Sequence, residues 1–389
     1  MKISNPFDGI TLGALRERSS EKWRVYPADV LPAFVAEMDF ETAPPIRSAL
    51  QRAIDRSDFG YAAPKEIGPA FAGFASSFLQ WDVDPQTVFA VPDVMSGVSQ
   101  ALHLLTQPGD GVVINPPVYP PFFEVIAYEE RRIVDVPLVE NTASGWLIDL
   151  DGLERAFASG AKAYLLCNPH NPVGRAWSEP ELRAIAQLAQ RYNVAVISDE
   201  IHAPLTMPGV PFVPFLQVAR DACDAIALSS ASKGWNIAGL KCGVLIAGTS
   251  LADKMRERLR ALPTEIESRI GHLGVIATIA AFRECVPWLQ ELRTYLDGNR
   301  AVLRQLLAKH VPGVRYRPQD ATFLAWLDCR DLDVTGEPSA HFLKYGRIAL
   351  YRGASFGAQG SGFVRLNLGT SRPILAEIVQ RMEAALLHR

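Results

Sequence analysis

Between residues 88 and 247 the chain alternates short uninterrupted apolar runs with stretches whose apolar residues recur at helical spacing. Val88–Val91, Val112–Ile114, Ala163–Cys167, Val194–Ser198, Ala225–Ser229 and Gly243–Ala247 carry no polar alternation, so they predict strands buried on both faces. Helices fall between them. Val98, Ala101, Leu102 and Leu105 share one face of a helix over 96–105, and Pro108-Gly109-Asp110 closes it with a turn. Ser178 and Glu181 have capping-box spacing ahead of Leu182, Ile185, Leu188 and Tyr192. Buried strands separated by helices predict an α/β core with a mostly parallel sheet covered by helices.

The flanks follow another pattern. Residues 1–44 read as irregular, ending in an extended arm closed by Ala43-Pro44-Pro45. A short helix is expected over 46–54, a loop over 59–64 and a helical face over 71–81. Helical spacing returns over 251–259 and again from about 269 to 310, with Pro287 as a kink or break. Beyond Pro312-Gly313 the reading is strands at 323–327, 348–350 and 363–368 and a closing helix over 374–387. That is a smaller α+β domain. The division is a large domain over 45–294, with the arm 1–44 and the segment 295–389 forming the second unit.

Composition narrows the class without changing this picture. The 389 residues are 48% apolar and 21% charged, ordinary for a globular protein with a large core. A net charge of −3 supplies no bulk field for nucleic acid or membrane surfaces. Cys167, Cys223, Cys242, Cys285 and Cys329 are scattered and form no Cys-x-x-Cys pair, so reduced thiols and no metal site are expected. Without a signal-like or membrane-length apolar run, the expected compartment is the cytoplasm.

Chemistry-bearing residues cluster where predicted strands end. Lys233, in Ser230-Ala231-Ser232-Lys233-Gly234, follows one buried run; an amine held there and partly desolvated suits Schiff-base chemistry, whereas an ordinary lysine points to solvent. The Ser-x-x-Lys spacing also fits serine acyl-enzymes, but no Lys-[Ser/Thr]-Gly element accompanies it. Asp199, in Ser198-Asp199-Glu200-Ile201-His202, ends another run and can keep a pyridinium nitrogen protonated; capping a helix is its alternative role. His202 alone reads as a satisfied loop histidine. Asn171, in Asn168-Pro169-His170-Asn171-Pro172-Val173-Gly174, sits in a stiff loop that offers its amide to a ring hydroxyl, unless the loop is only a turn.

Gly97 and Val98 open the helix after Val88–Val91, a place where free N–H groups favour a phosphate, with Ser230 and Lys241 able to complete the cradle. Tyr119, flanked by prolines, stacks on a flat ring or packs in the core. Arg365 interrupts an apolar strand and needs a partner: a substrate carboxylate, or an internal Asp or Glu.

The order Asn-Pro-x-Gly, Asp-Glu, Ser-x-x-Lys, Gly-Leu-Lys and a late arginine, over roughly residues 35–370, resembles the fold-type I pyridoxal-phosphate enzymes of the class I/II aminotransferase superfamily. Within it, Val35-Ala36-Glu37-Met38-Asp39-Phe40, Gly60-Tyr61-Ala62-Ala63-Pro64, Cys167–Pro172 and Asp199-Glu200-Ile201-His202 are similar to the MalY/PatB-type cystathionine β-lyases. The resemblance implies that Lys233 holds the cofactor aldehyde, Asp199 pairs with the pyridine nitrogen, Asn171 meets the ring hydroxyl and Tyr119 stacks on the ring. It implies a phosphate held by Gly97, Val98, Ser230 and Lys241, with Tyr61 reaching it from the second subunit of a homodimer. It also implies that Arg365 and Ala36 contact an amino-acid substrate.

Three positions bear on the branch. His202 stands where many aminotransferases carry a tyrosine, Lys241 replaces a phosphate arginine with a point charge, and Glu37 stands where the lyases have Asp. The implied activity is a carbon–sulfur β-lyase acting on cystathionine or another S-substituted cysteine. An aminotransferase on the same scaffold is the alternative; a specialised biosynthetic eliminase and a regulatory platform are weaker ones.

Overall fold

The computed structural model describes residues 5–141, 145–220, 222–262 and 269–388. Its largest sheet has seven strands: β1 (Val88–Val91), β2 (Gly111–Ile114), β3 (Arg132–Asp135), β4 (Ala163–Cys167), β5 (Ala195–Asp199), β6 (Ala225–Ser229) and β7 (Gly243–Ala247), in the order β1-β7-β6-β5-β4-β2-β3. All six apolar runs match a strand within one residue at either end, and β1, β4, β6 and β7 match at both ends. The edge strand β3, with the sequence Arg-Ile-Val-Asp and half-exposed sides, carried no continuous apolar signal to find. The order crosses over, so the helices lie on both faces. Ala163, Leu165 and Cys167 of β4 point into a layer with the helices Val94–Leu105 and Pro121–Tyr128; Tyr164 and Leu166 point into the layer with Leu150–Ala158 and Glu179–Tyr192. Burial on both faces is the reason these strands lack polar alternation.

β7 is antiparallel to both neighbours, β1 and β6, while the remaining pairs are parallel. β1 therefore runs the same way as the parallel strands. The carboxyl ends of β1, β2, β4, β5 and β6 and the start of β7 share one edge, which is where open α/β sheets bind ligands.

Ser178 caps its helix in a complete capping box, the Ser178 N–H donating to Glu181 Oε2 at 2.8 Å. Pro287 lies in the first turn of the helix Val286–His310, and the helical stretch breaks before it at Cys285, after His272–Glu284. The expected domain boundary at 294/295 falls inside that continuous 25-residue helix. Two other expectations are corrected. The N-terminal stretch holds short helices at Leu12–Arg16 and Glu21–Arg24, and the helical face expected over 71–81 is an α-helix at Ile67–Phe74 running into a π turn at Ala75–Leu79.

The second unit has an antiparallel sheet of β8 (Arg315–Tyr316), β9 (Leu324–Asp328), β10 (Tyr351–Arg352) and β11 (Phe363–Asn367), ordered β8-β9-β11-β10, with the helix Arg372–Ala385 against it. Leu31–Pro32 pairs in parallel with Ile348–Ala349, and Asn367 N–H donates to Ala33 O at 2.9 Å. These bonds seat residues 33–40 between the small sheet and the ligand edge of the large one.

Candidate active site

A cavity of about 260 Å³ opens at that edge. Six strand ends contribute to it: Val94 and Met95 after β1, Tyr119 after β2, Cys167 at the end of β4 and Asn171 after it, Asp199 at the end of β5 and Ile201 and His202 after it, Ser230, Ser232 and Lys233 after β6, and Lys241 and Cys242 before β7. Ala36 of the arm closes one wall.

Lys233 lies on a one-turn helix, Ala231–Gly234, capped by Ser230, whose Oγ accepts the Ser232 N–H at 3.0 Å and donates to Cys242 O at 2.8 Å. Its Nζ donates to Ala36 O at 2.9 Å. Burial, reinforced by the Arg365 charge and opposed by Asp199 and Glu37, lowers the lysine to about 8. A neutral amine is thus accessible near physiological pH. Asp199 ends β5 with its carboxylate buried; Ile201 N–H donates to Oδ1 at 3.1 Å. Desolvation pushes this carboxyl up to about 6, and neither that one backbone bond nor Lys233 offsets it. A buried carboxylate so thinly partnered fits a cationic ring nitrogen.

His202 lines the same wall, buried, with Nδ1 unpartnered, and desolvation with the Lys233 and Arg365 charges keeps it neutral, its value lowered to about 3. Tyr119 is pushed up to about 12 by burial and the Asp199 charge, so it stays a phenol. Asn171 Oδ1 accepts from Arg365 Nη1 at 3.0 Å, which leaves its NH2 group as the donor for a ring hydroxyl.

Arg365, in the middle of β11, does not line the cavity; it stands directly behind Asn171. Its Nη2 donates to Phe34 O at 3.0 Å, its Nε has no partner, and its guanidinium lies over the Tyr351 and Phe356 rings at 4.7 and 5.0 Å. Among the described residues no carboxylate pairs with it. A buried arginine without a counter-ion removes the internal salt bridge that the sequence left open, and desolvation lowers it to about 10.

Two expected placements change. Gly97 and Val98 lie one turn too deep: Gly97 N–H makes the first intrahelical bond, to Asp93 O at 3.0 Å, and Val98 is fully buried. Gly97 serves packing, because a Cβ there would come within 2.4 Å of Leu228 Cδ2 on β6. Val94 and Met95, whose N–H groups precede that first bond, are the ones at the cavity, beneath the cap Asp93. The Asp at the helix start was the available signal for this register. Lys241, left-handed at φ 59°, reaches Asp93 Oδ2 at 2.8 Å, and its loop is pressed against Gly271 and Gly274, where a Cβ would meet Leu240 O at 2.2 Å. Tyr61 is 87% exposed and lies outside this cavity, in a broad neighbouring groove that shares Pro92 and Met95 with it.

The family model for aminotransferase class I and II matches residues 35–382. A cystathionine beta-lyase of Corynebacterium glutamicum is 34% identical over 96% of this chain and 99% of its own length. Cystathionine beta-lyase PatB of Bacillus subtilis is 34% identical over 92% of this chain and 93% of its own. Among solved structures, cystalysin of Treponema denticola, which contains a pyridoxal 5'-phosphate cofactor, superposes with a TM-score of 0.87 at 29% identity, over 96% of this chain and 97% of that one.

Proposed function

Because this chain belongs to the aminotransferase class I and II family, we propose that it is a pyridoxal-phosphate-dependent carbon–sulfur β-lyase that converts cystathionine, or another S-substituted L-cysteine, to a thiol, pyruvate and ammonia. The observation that carries this reading is the meeting, in one cavity, of the Lys233 amine, whose Nζ donates to Ala36 O, and the buried Asp199 carboxylate, which accepts from the Ile201 N–H. The two relatives named for this activity support it.

The donor set fits the cofactor. Lys233 would hold its aldehyde, Asp199 its ring nitrogen and Asn171 its ring hydroxyl, with Tyr119 beside the ring; Val94, Met95, Ser230 and Lys241 would hold the phosphate. Bound there, the cofactor supplies an electron sink for a carbanion at the substrate α-carbon. The protein does the rest. Lys233 Nζ, neutral for part of the population near pH 8, takes the α-proton. Asp199, ionised above about 6, keeps positive charge on the ring. Arg365, with no internal counter-ion and an unpartnered Nε beside the Asn171 wall, is the cation for the substrate carboxylate, which needs Asn171 to shift aside, and Ala36 lines the same cavity. Neutral His202, in place of a phenol, adds no acidic proton beside the ring.

The phosphate site is completed by a second copy of the chain. Tyr61 is exposed in the groove that borders Met95, and a symmetric partner seated there brings its own tyrosine to the helix start. No helix among the described residues is long and apolar enough to cross a membrane, and the five cysteines are unpaired, in keeping with work in the cytoplasm.

Purified protein is expected to absorb in the visible, and Lys233→Ala to lose that band. With cystathionine and no keto acid present, the wild type should release pyruvate. A coloured protein that releases no pyruvate, and instead transfers the amino group to an added keto acid with the carbon–sulfur bond left intact, would be an aminotransferase. A colourless one that takes up no cofactor refutes the reading altogether.

A further inference from the structure

We propose that Asn236 is a positioning residue for Lys233, clamping the main chain at Met38 so that the Ala36 carbonyl is held against Lys233 Nζ. This deepens the reading above and rests on Lys233 being the cofactor lysine.

The arm over 33–40 has little regular structure of its own, yet its backbone groups are gripped from both sides. From the small sheet, Asn367 Nδ2 donates to Val35 O at 2.8 Å and Glu37 O at 2.6 Å, Gly369 O accepts the Asp39 N–H at 2.9 Å, and Arg365 holds Phe34 O. From the large domain there are two grips among the described residues. Lys233 Nζ reaches Ala36 O, and Asn236 makes a two-bond clamp: Met38 N–H donates to Asn236 Oδ1 at 2.8 Å, while Asn236 Nδ2 donates to Met38 O at 2.8 Å.

An amide that both donates to and accepts from one residue's main chain fixes direction as well as distance. Asn236 is three residues after Lys233, at the end of the same turn, and sits in the left-handed region at φ 57°, which asparagine tolerates better than most residues. The clamp thus joins the lysine's own turn to the segment that supplies its acceptor, two residues before Met38. Without it, Lys233 itself is the remaining large-domain grip on residues 35–38 among the described residues, and a lysine engaged with cofactor or substrate cannot also hold the arm.

The carbonyl matters because Lys233 is in a contested field. Arg365 and burial disfavour its charge; Asp199 and Glu37 favour it, and neutral His202 faces it from β5. A carbonyl oxygen at 2.9 Å accepts from the ammonium and stabilises it. Losing that acceptor favours the neutral amine, but leaves it free to move away from the α-carbon it must reach.

Two variants of the holoenzyme test this. Asn236→Gly removes the amide and keeps a residue at ease with positive φ. Asn236→Asp keeps the acceptor for Met38 N–H, sets a carboxylate oxygen against Met38 O, and adds negative charge near Lys233. Expected for Asn236→Gly are a visible band of normal intensity, kcat lower by roughly tenfold with KM within about twofold, and faster proteolytic cleavage between residues 33 and 40. The acid limb of its kcat profile should move down by about half a pH unit. For Asn236→Asp the limb should move up. A purely structural role would lower the melting temperature and leave both limbs in place.

Unchanged kcat and an unmoved acid limb in Asn236→Gly, with wild type coloured, overturn this proposal alone. Should that variant fail to fold, Asn236→Asp decides by the same criteria. A wild-type protein lacking the Lys233-dependent band overturns the lysine assignment, and this proposal with it.

Discussion

Asp199→Asn offers a test in which stability and activity move in opposite directions. Asparagine is isosteric, and its Oδ1 still accepts the Ile201 N–H that now reaches Asp199 at 3.1 Å. Only the charge is removed. In the cofactor-free protein, holding this carboxyl at about 6 against an ordinary 3.8 corresponds to roughly 3 kcal/mol of folding free energy. Since the folded-state value is raised, the folded protein binds more protons than the unfolded chain between those two values. Stability therefore falls as pH rises from about 4 to about 6, and the penalty stays constant above. Below pH 4 the two proteins should be equally stable. At pH 7.5 cofactor-free Asp199→Asn should be more stable by up to about 3 kcal/mol, or roughly 4 °C in Tm for a chain of this length.

With cofactor the order reverses. The neutral amide cannot hold charge on the ring nitrogen, and kcat/KM for pyruvate release should fall by roughly 100- to 1000-fold, the range for loss of one preorganised electrostatic partner. Thermal melts of both proteins at pH 4 and 7.5, with and without pyridoxal phosphate, and a pyruvate assay make the comparison. Equal stability at pH 7.5, or retained activity, refutes the assignment of Asp199 as a desolvated carboxylate waiting on a cationic partner.

Two further outcomes concern the framework of the site. Lys22 Nζ and Asp39 Oδ1 form an ion pair at 2.8 Å with both side chains 1% exposed, and Lys22 also donates to Glu37 O at 3.0 Å. Lys22→Met should cost about 3–5 kcal/mol in denaturant unfolding by leaving a buried carboxylate alone, and adding Asp39→Leu should recover most of it; equal losses in the single and double variants would refute this. Gly97→Ala should destabilise by about 1–3 kcal/mol, because the added methyl meets Leu228, and Leu228→Ala in the same chain should relieve part of the strain; a neutral single variant would show that the helix and β6 part easily.

The distribution of what was legible has a physical pattern. Lys233, Asp199 and Asn171 could be expected in one place because each follows a buried apolar run, and in a parallel sheet the carboxyl ends of such runs meet at one edge whatever the rest of the chain does; the structure brings all three to one cavity. The mistake over Gly97 and Val98 was one of register: a glycine at a helix start reads as a ligand cradle, but only the neighbouring strand shows that its missing Cβ makes room for Leu228. Tyr61 remained ambiguous because a single chain leaves it exposed.

By itself the sequence determined the buried strands of the large sheet, the helix with the capping box, the lysine turn and the family, since these rest on patterns a few residues long. Tertiary structure alone decided which groups meet. Lys233 and Ala36 are 197 positions apart, Asn236 and Met38 198, Arg365 and Asn171 194. No local periodicity links such residues, and the choice between a substrate-binding arginine and an internally paired one depended on whether any carboxylate was brought beside it by folding. The arm shows the same thing: a stretch without regular structure acquires a fixed position because groups from distant segments, Asn236 and Asn367 among them, bond to its backbone.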